Sequence, residues 1–158
     1  MDWPLWLLLA ATIVNAMLVG ASLDQVIKQL PARRRIGAVA FSEYSKAADL
    51  GHGIFWYGAL GLGSAALTLV AVIVVLTGRH DLQVQVAAWS AVALTAAHSF
   101  TTARAAPINF SQRRAAGDAV HLEAIFDRFE RWSTARAGLQ LLTLMSVAWT
   151  LAAYVSGR

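Results

Sequence analysis

Two histidines interrupt otherwise apolar stretches of this 158-residue sequence, and both are candidates for chemistry. His52 lies between Gly51 and Gly53, and His98 is followed by Ser99. An imidazole can act as a general base or ligate heme iron or another metal. We predict that His52 and His98 are catalytic residues. The alternative for each is a histidine that is hydrogen-bonded to a neighbour or to water.

Further side chains with polar groups, at or near the cytoplasmic ends of the predicted spans, are predicted to bind a substrate. They are Asn15, Asn109, Trp132, Arg136 and Gln140. Amides and a guanidinium can hold an anionic oxygen, and polar groups inside an apolar bundle are costly enough to suggest a function. For Arg136, the alternative is an ion pair with Asp24 or Asp49. For Asn109, it is a helix cap or turn.

The composition disfavours a soluble domain. Hydrophobic residues make up 58% of the chain and charged residues 14%, whereas soluble domains average about 45–50% and about 25%. The absence of cysteine excludes disulfides and thiolate metal sites. Neither paired Glu-x-x-His motifs nor His-Glu-x-x-His occurs. We therefore predict no metal and no cofactor, with heme held by His52 and His98 as the alternative.

Four segments are long and apolar enough to be predicted as membrane spans, since a span needs roughly 20 mostly apolar residues. These segments are 3–23, 54–76, 84–103 and 137–155. Backbone groups in lipid must be paired within the segment, so each span must be a helix. The predicted fold class is all-α. We expect a single domain over residues 1–158, built as an integral membrane four-helix bundle that can also form homo-oligomers.

The basic residues predict the orientation of the bundle. Most Lys and Arg residues fall in the connections after spans one and three, and only Arg79 and Arg158 lie on the other side. The positive-inside rule then places both long connections in the cytoplasm and both termini outside, as in a bacterial inner membrane. The net charge of +4 thus fits anchoring at a lipid bilayer, and no nucleic-acid partner is predicted.

The cytoplasmic connections are predicted to continue the helices. Pro31 can start a helix. Between spans three and four, apolar residues at steps of three or four form one stripe. The stripe consists of Leu122, Ile125, Phe126, Phe129 and Trp132. The polar candidates all fall in the cytoplasmic half of the bundle, which predicts a polar pocket there for a hydrophobic small molecule.

Small residues cluster in span two. They include Gly58, Gly61 and Gly63. Small residues allow close approach of helix backbones in lipid, so we interpret this cluster as tight packing within the bundle.

Two short motifs suggest a family. Pro107-x-Asn109 follows span three, where we expect Pro107 to end the helix, and Trp132-x-x-x-Arg136 enters span four. With four spans in about 150 residues, this pattern resembles the anthrone-oxygenase-like family of small membrane proteins. The resemblance is sharpest over residues 106–142.

The resemblance implies oxidation of an aromatic substrate by molecular oxygen. A base, His52 or His98, would remove an acidic C–H beside a carbonyl, and Asn109 and Arg136 would stabilise the enolate oxygen. An alternative from another class is a non-enzymatic membrane module that binds heme, lipid or a partner subunit. A membrane glutathione-transferase-like bundle is a third interpretation, but span two lacks the Arg- and Asn-containing signature of that family.

Overall fold

The protein is helical almost throughout in the computed structural model, which describes residues 2–115 and 117–157, and no strand occurs among them. The helices are α1 Trp3–Asp24, α2 Leu30–Ile36, α3 Ala38–Ala47, α4 Gly53–Leu76, α5 Leu82–Ser111 and α6 Ala119–Ser156. A π-helical turn, Gln25–Gln29, joins α1 to α2, and another, Ala48–His52, joins α3 to α4. The predicted all-α class is confirmed.

Among the described residues, three helical segments are long and apolar enough to cross a membrane. They are Trp3–Ile36, Ala38–Leu76 and Ala119–Ser156. Helix α5, which contains the predicted third span, is not one of them. Its 30 residues are long enough, but Gln83, Gln85 and His98 make it less apolar.

Pro107 does not end α5, contrary to prediction. It lies inside the helix near its C-terminal end, and the helix continues to Ser111.

The bundle has two separate apolar clusters, one towards each end. The cluster near the chain termini packs Leu8, Val72, Val75 and Val147 among small alanines. The termini meet there, since the Tyr154 hydroxyl donates to Asp2 Oδ1 at 3.1 Å. The cluster at the opposite end is built around Leu30, Phe41, Leu122 and Phe126.

The predicted apolar stripe is confirmed as the core of the second cluster. Leu122, Ile125, Phe126 and Phe129 are buried on α6, while Trp132 is partly buried beside them. Helix α6 runs without interruption from this stripe through the predicted fourth span. Asp118 caps its start by accepting a hydrogen bond from the His121 N–H at 3.0 Å.

Pro31 explains why the first π-helical turn forms. A proline lacks an N–H and its ring clashes with the carbonyl four residues earlier in a regular helix. The widened turn at Gln25–Gln29 precedes Pro31 and lets the chain remain helical through it. The first helical segment therefore ends only at Gly37, whose φ of 84° suits glycine.

The second π-helical turn forms a kink at the start of α4. Gly51 has non-helical backbone angles, φ −90° and ψ −122°. Arg113 covers the disrupted turn by donating from Nη2 to the Leu50 carbonyl at 3.1 Å. Gly53 is required beside it, because a Cβ there would lie 2.5 Å from the Ala48 carbonyl oxygen.

We expect Gly53→Ala to lower the free energy of unfolding by about 2 kcal/mol, since the new methyl group would push backbone against backbone. Gly63→Ala is the matched control, because a Cβ at that position meets no atom within 4 Å. Thermal unfolding of the purified chain in detergent measures both. Equal midpoints for the two variants would contradict this account of the kink.

Candidate functional site

A cavity of about 220 Å³ lies between the two apolar clusters. Apolar atoms form most of its surface, although half of the sixteen lining residues carry a polar side chain. The apolar and small residues are Leu18, Leu50, Ile54, Gly58, Gly61, Ala106, Phe110 and Phe129. The polar residues are Ser22, Gln25, Asp49, Tyr57, Thr102, Asn109, Arg136 and Gln140. A mostly apolar pocket with a few convergent polar groups is typical of small-molecule sites.

Both π-helical turns contribute to this cavity. Gln25 comes from the first turn and Asp49 from the second, and the two side chains are 5% and 8% exposed. A π-helical turn interrupts the regular helical rotation and occurs frequently at functional sites. The two irregular turns therefore bring an amide and a carboxylate to the same cavity.

A buried hydrogen-bond network holds Asp49 in place. Ser45 donates to Asp49 Oδ2 at 3.0 Å, and Gln112 Nε2 lies 3.3 Å from Ser45 Oγ. Gln112 Nε2 also donates to Asn109 Oδ1 at 2.7 Å. Asn109 is therefore a helical residue that lines the cavity and anchors this network, and it is neither a cap nor a turn residue.

Arg136 reaches across the bundle to the first π-helical turn. Its Nη2 donates to Gln25 Oε1 at 2.8 Å. Neither predicted ion pair forms among the described residues, because Asp24 pairs with Lys28 and Asp49 bonds to Ser45. The positive charge of Arg136 still acts on the Asp49 carboxylate. A cation and an anion thus line one cavity without direct contact.

Two polar atoms at this cavity have no hydrogen-bond partner among the described residues. They are Gln140 Oε1 and Arg136 Nε, both fully buried. Gln140 is only 2% exposed. An unpaired buried polar atom costs about 1–3 kcal/mol, so this end of the cavity favours a bound molecule that supplies a donor and an acceptor.

The two predicted catalytic histidines do not line this cavity. His52 is exposed at the end of the second π-helical turn. His98 is 2% exposed, and neither ring nitrogen has a partner among the described residues. The nearby hydroxyls of Thr101 and Thr102 donate to the backbone carbonyl of His98, and not to its ring. A heme held by both histidines therefore gains no support from this cavity.

Two of the predicted binding residues also lie elsewhere. Asn15 donates to Thr68 Oγ1 at 2.9 Å and to the Ala11 carbonyl at 2.8 Å, which ties α1 to α4. Trp132 packs edge-on against Phe100, with ring centroids 6.3 Å apart. The structure thus brings together Asn109, Arg136 and Gln140.

The glycines of span two are not tightly packed, which corrects the sequence interpretation. A Cβ on Gly58, Gly61 or Gly63 would meet no atom of a neighbouring element within 4 Å. Gly58 and Gly61 border the cavity, so the small residues leave open space there.

Sequence reasoning missed the roles of Gln25, Asp49 and Tyr57 in this cavity. Gln25 lies just beyond the predicted end of span one at Leu23, in the connection that follows. Its spacing of three from Ser22 places both on one helix face, which is a signal for a shared site. For Asp49, the sequence suggests only an ion pair with Arg136.

No protein-family model matches the chain, and searches of curated proteins and of solved structures find no match. Within the described part of the chain, no three His, Asp or Glu side chains are grouped to hold a metal ion. The geometry of the cavity itself therefore carries the functional argument.

We expect Asn15→Ala to reduce the free energy of unfolding by about 1 kcal/mol, through loss of the bond to Thr68. Because Asn15 lies outside the cavity lining, binding of an aromatic ligand should stay within twofold of the unsubstituted protein. Denaturant unfolding and equilibrium dialysis measure the two effects. A large loss of binding with unchanged stability would instead show that Asn15 contributes to the ligand-binding site.

Proposed function

We propose that this chain is an integral membrane protein that binds a hydrophobic aromatic ketone in the cavity and oxidises it with molecular oxygen. The observation that carries the proposal is the placement of Arg136 and Asp49 on one largely apolar cavity without a direct ion pair. A cationic donor and a carboxylate base on either side of an apolar space suit a substrate that loses a proton and becomes an oxyanion.

The polar groups define how such a substrate would bind. Arg136 Nε–H has no protein partner and can donate to a carbonyl oxygen, while Gln140 Oε1 can accept from a hydroxyl. Gln25 fixes the guanidinium through its bond to Nη2. We therefore infer an aromatic molecule that carries both a carbonyl and a hydroxyl group, with its rings against the apolar walls.

Asp49, and not a histidine, is the base in this proposal. Its carboxylate takes a proton from an acidic C–H that is conjugated with the carbonyl, and the electron pair moves onto the oxygen held by Arg136. The enolate carbon then bonds to O₂, and the resulting peroxide takes the proton back from Asp49 to give a hydroperoxide. Loss of water converts the CH₂ group to a second carbonyl, so that one O₂ is consumed and one water forms for each substrate oxidised.

The proposed placement in the membrane follows the distribution of basic residues. Both termini lie outside, and the connections on the far side lie in the cytoplasm, near the second apolar cluster. The cavity then opens in the inner half of the bilayer, where a membrane-dissolved substrate can reach it. Four spans are proposed. Helix α5 is the least apolar of them, and it is included because it packs extensively against α6.

We expect Arg136→Met to weaken binding of 1,8-dihydroxyanthrone at least tenfold, because the carbonyl loses its cationic donor. Arg131→Met is the matched control, since Arg131 is exposed on the same helix and outside the cavity lining. Equilibrium dialysis of the purified chain in lipid nanodiscs gives the dissociation constants. Equal losses for both variants would point to a nonspecific effect of charge and remove the proposed role of Arg136.

We expect Asp49→Asn to slow oxidation of 1,8-dihydroxyanthrone at least a hundredfold, which is the usual size of a general-base contribution. The double variant His52→Ala, His98→Ala should retain the rate of the unsubstituted chain. Oxygen uptake and quinone absorbance follow the reaction, and protein-free nanodiscs correct for spontaneous oxidation. Loss of activity in the histidine variant with full activity in Asp49→Asn would overturn this assignment and favour the histidine base.

The same cavity also suits a non-enzymatic module that only binds a hydrophobic molecule, because Gln140 Oε1 and Arg136 Nε lack protein partners whether or not a reaction follows. Tight binding of 1,8-dihydroxyanthrone without oxygen uptake above the protein-free control would favour that function. Turnover that depends on Asp49 would favour the oxidase.

A further inference from the structure

Gly58 and Gly61 leave room in the cavity that helix packing does not require. Both border the cavity, and a Cβ on either meets no atom of a neighbouring element within 4 Å. Glycine in a helix interior is about 1 kcal/mol less favourable than alanine. An alanine would fit at both positions without a clash, so helix packing does not explain why glycine occupies them. The open space that the two glycines leave therefore calls for another explanation.

The space lies along the gap between α4 and α5. Ile54, Gly58 and Gly61 line the cavity on α4, and Thr102, Ala106 and Phe110 line it on α5. Ile54 and Phe110 are 37% and 36% exposed, in contrast to the buried polar groups behind them. Gly58 and Gly61 fall within a predicted span, so in the proposed membrane placement this side of the cavity faces lipid.

A separate observation points to a ligand in this space. Gln140 lines the same cavity, is 2% exposed, and its buried Oε1 has no partner among the described residues. A polar acceptor this deeply buried favours a molecule that reaches it from the open side. Because the open side is apolar and lipid-facing, that molecule must itself be largely apolar.

We propose that Gly58 and Gly61 are specificity-determining residues that admit a broad, flat ring system from the lipid side of the cavity. This inference rests on the proposed function, because it takes the aromatic hydroxyketone as the ligand. The glycines set the width of that ligand, and Arg136 and Gln140 recognise its polar end. Side chains at positions 58 and 61 would narrow the space without displacing a neighbouring helix.

The test compares a three-ring probe, 1,8-dihydroxyanthrone, with a one-ring probe that has the same polar groups, 2-hydroxyacetophenone. We expect Gly58→Leu and Gly61→Leu to weaken binding of the three-ring probe at least tenfold and to leave the one-ring probe within threefold. Gly63→Leu is the matched control, since position 63 is equally open but outside the cavity lining, and it should bind both probes as the unsubstituted chain does. Equilibrium dialysis in nanodiscs measures every pair.

Unchanged binding of the three-ring probe in both leucine variants would overturn the proposal. Equal loss of both probes would also overturn it, since width would then not be the property sensed. Retained binding of the one-ring probe shows that a variant is folded. Arg136→Met, measured in parallel, tests the proposed function separately: if it leaves both probes bound while the leucine variants discriminate, the polar recognition fails and the width selection stands.

Discussion

A polar group buried among apolar helices must find its partner within the protein, and this constraint organises the whole bundle. Several buried hydroxyls meet it locally: Thr95 and Thr150, for example, donate to carbonyls of their own helices. At the end away from the termini, Arg33 is 1% exposed and satisfies its charge with Asp127 and Glu130 of α6. The cavity lies between these regions, and two residues that line it carry unpaired atoms, Gln140 Oε1 and Arg136 Nε. Unpaired buried atoms also occur outside the cavity lining, on Arg33 and His98.

The hydrogen-bond partners of Asn15 and Asp49 show what each of these side chains does in the bundle. The sequence predicts Asn15 as a site residue because an amide inside a span is costly. Its amide instead donates to Thr68, and this bond gives Asn15 a structural role. The sequence does not single out Asp49 as a site residue, since it lies just before a predicted span. The network from Asn109 through Gln112 and Ser45 holds this carboxylate at the cavity, which is the preorganisation that a catalytic base needs.

Hydrophobic periodicity was sufficient to predict the helices and the buried stripe of α6, because burial of an apolar face depends on spacing alone. Asn109, Arg136 and Gln140 were predicted as part of a larger polar group, and only these three of that group line the cavity. The positions of His52 and His98 were not predictable. Depth along a helix follows from residue count, but the direction in which a side chain points depends on the rotation of the helix, which residue count does not give. For His52, the π-helical turn at Ala48–His52 shifts that rotation further.

The π-helical turn at Ala48–His52 has a consequence for how the sequence can tolerate insertions and deletions. Such a turn holds one residue more than a regular helical turn would, and each residue rotates a helix by about 100°. Removing a single residue there would rotate α4 around its own axis by about that angle relative to α3. The side of α4 that carries Tyr57, Gly58 and Gly61 would then face a different neighbour. The number of residues between Ser45 and Tyr57 therefore fixes the rotation of α4, and no substitution can restore that rotation after a deletion.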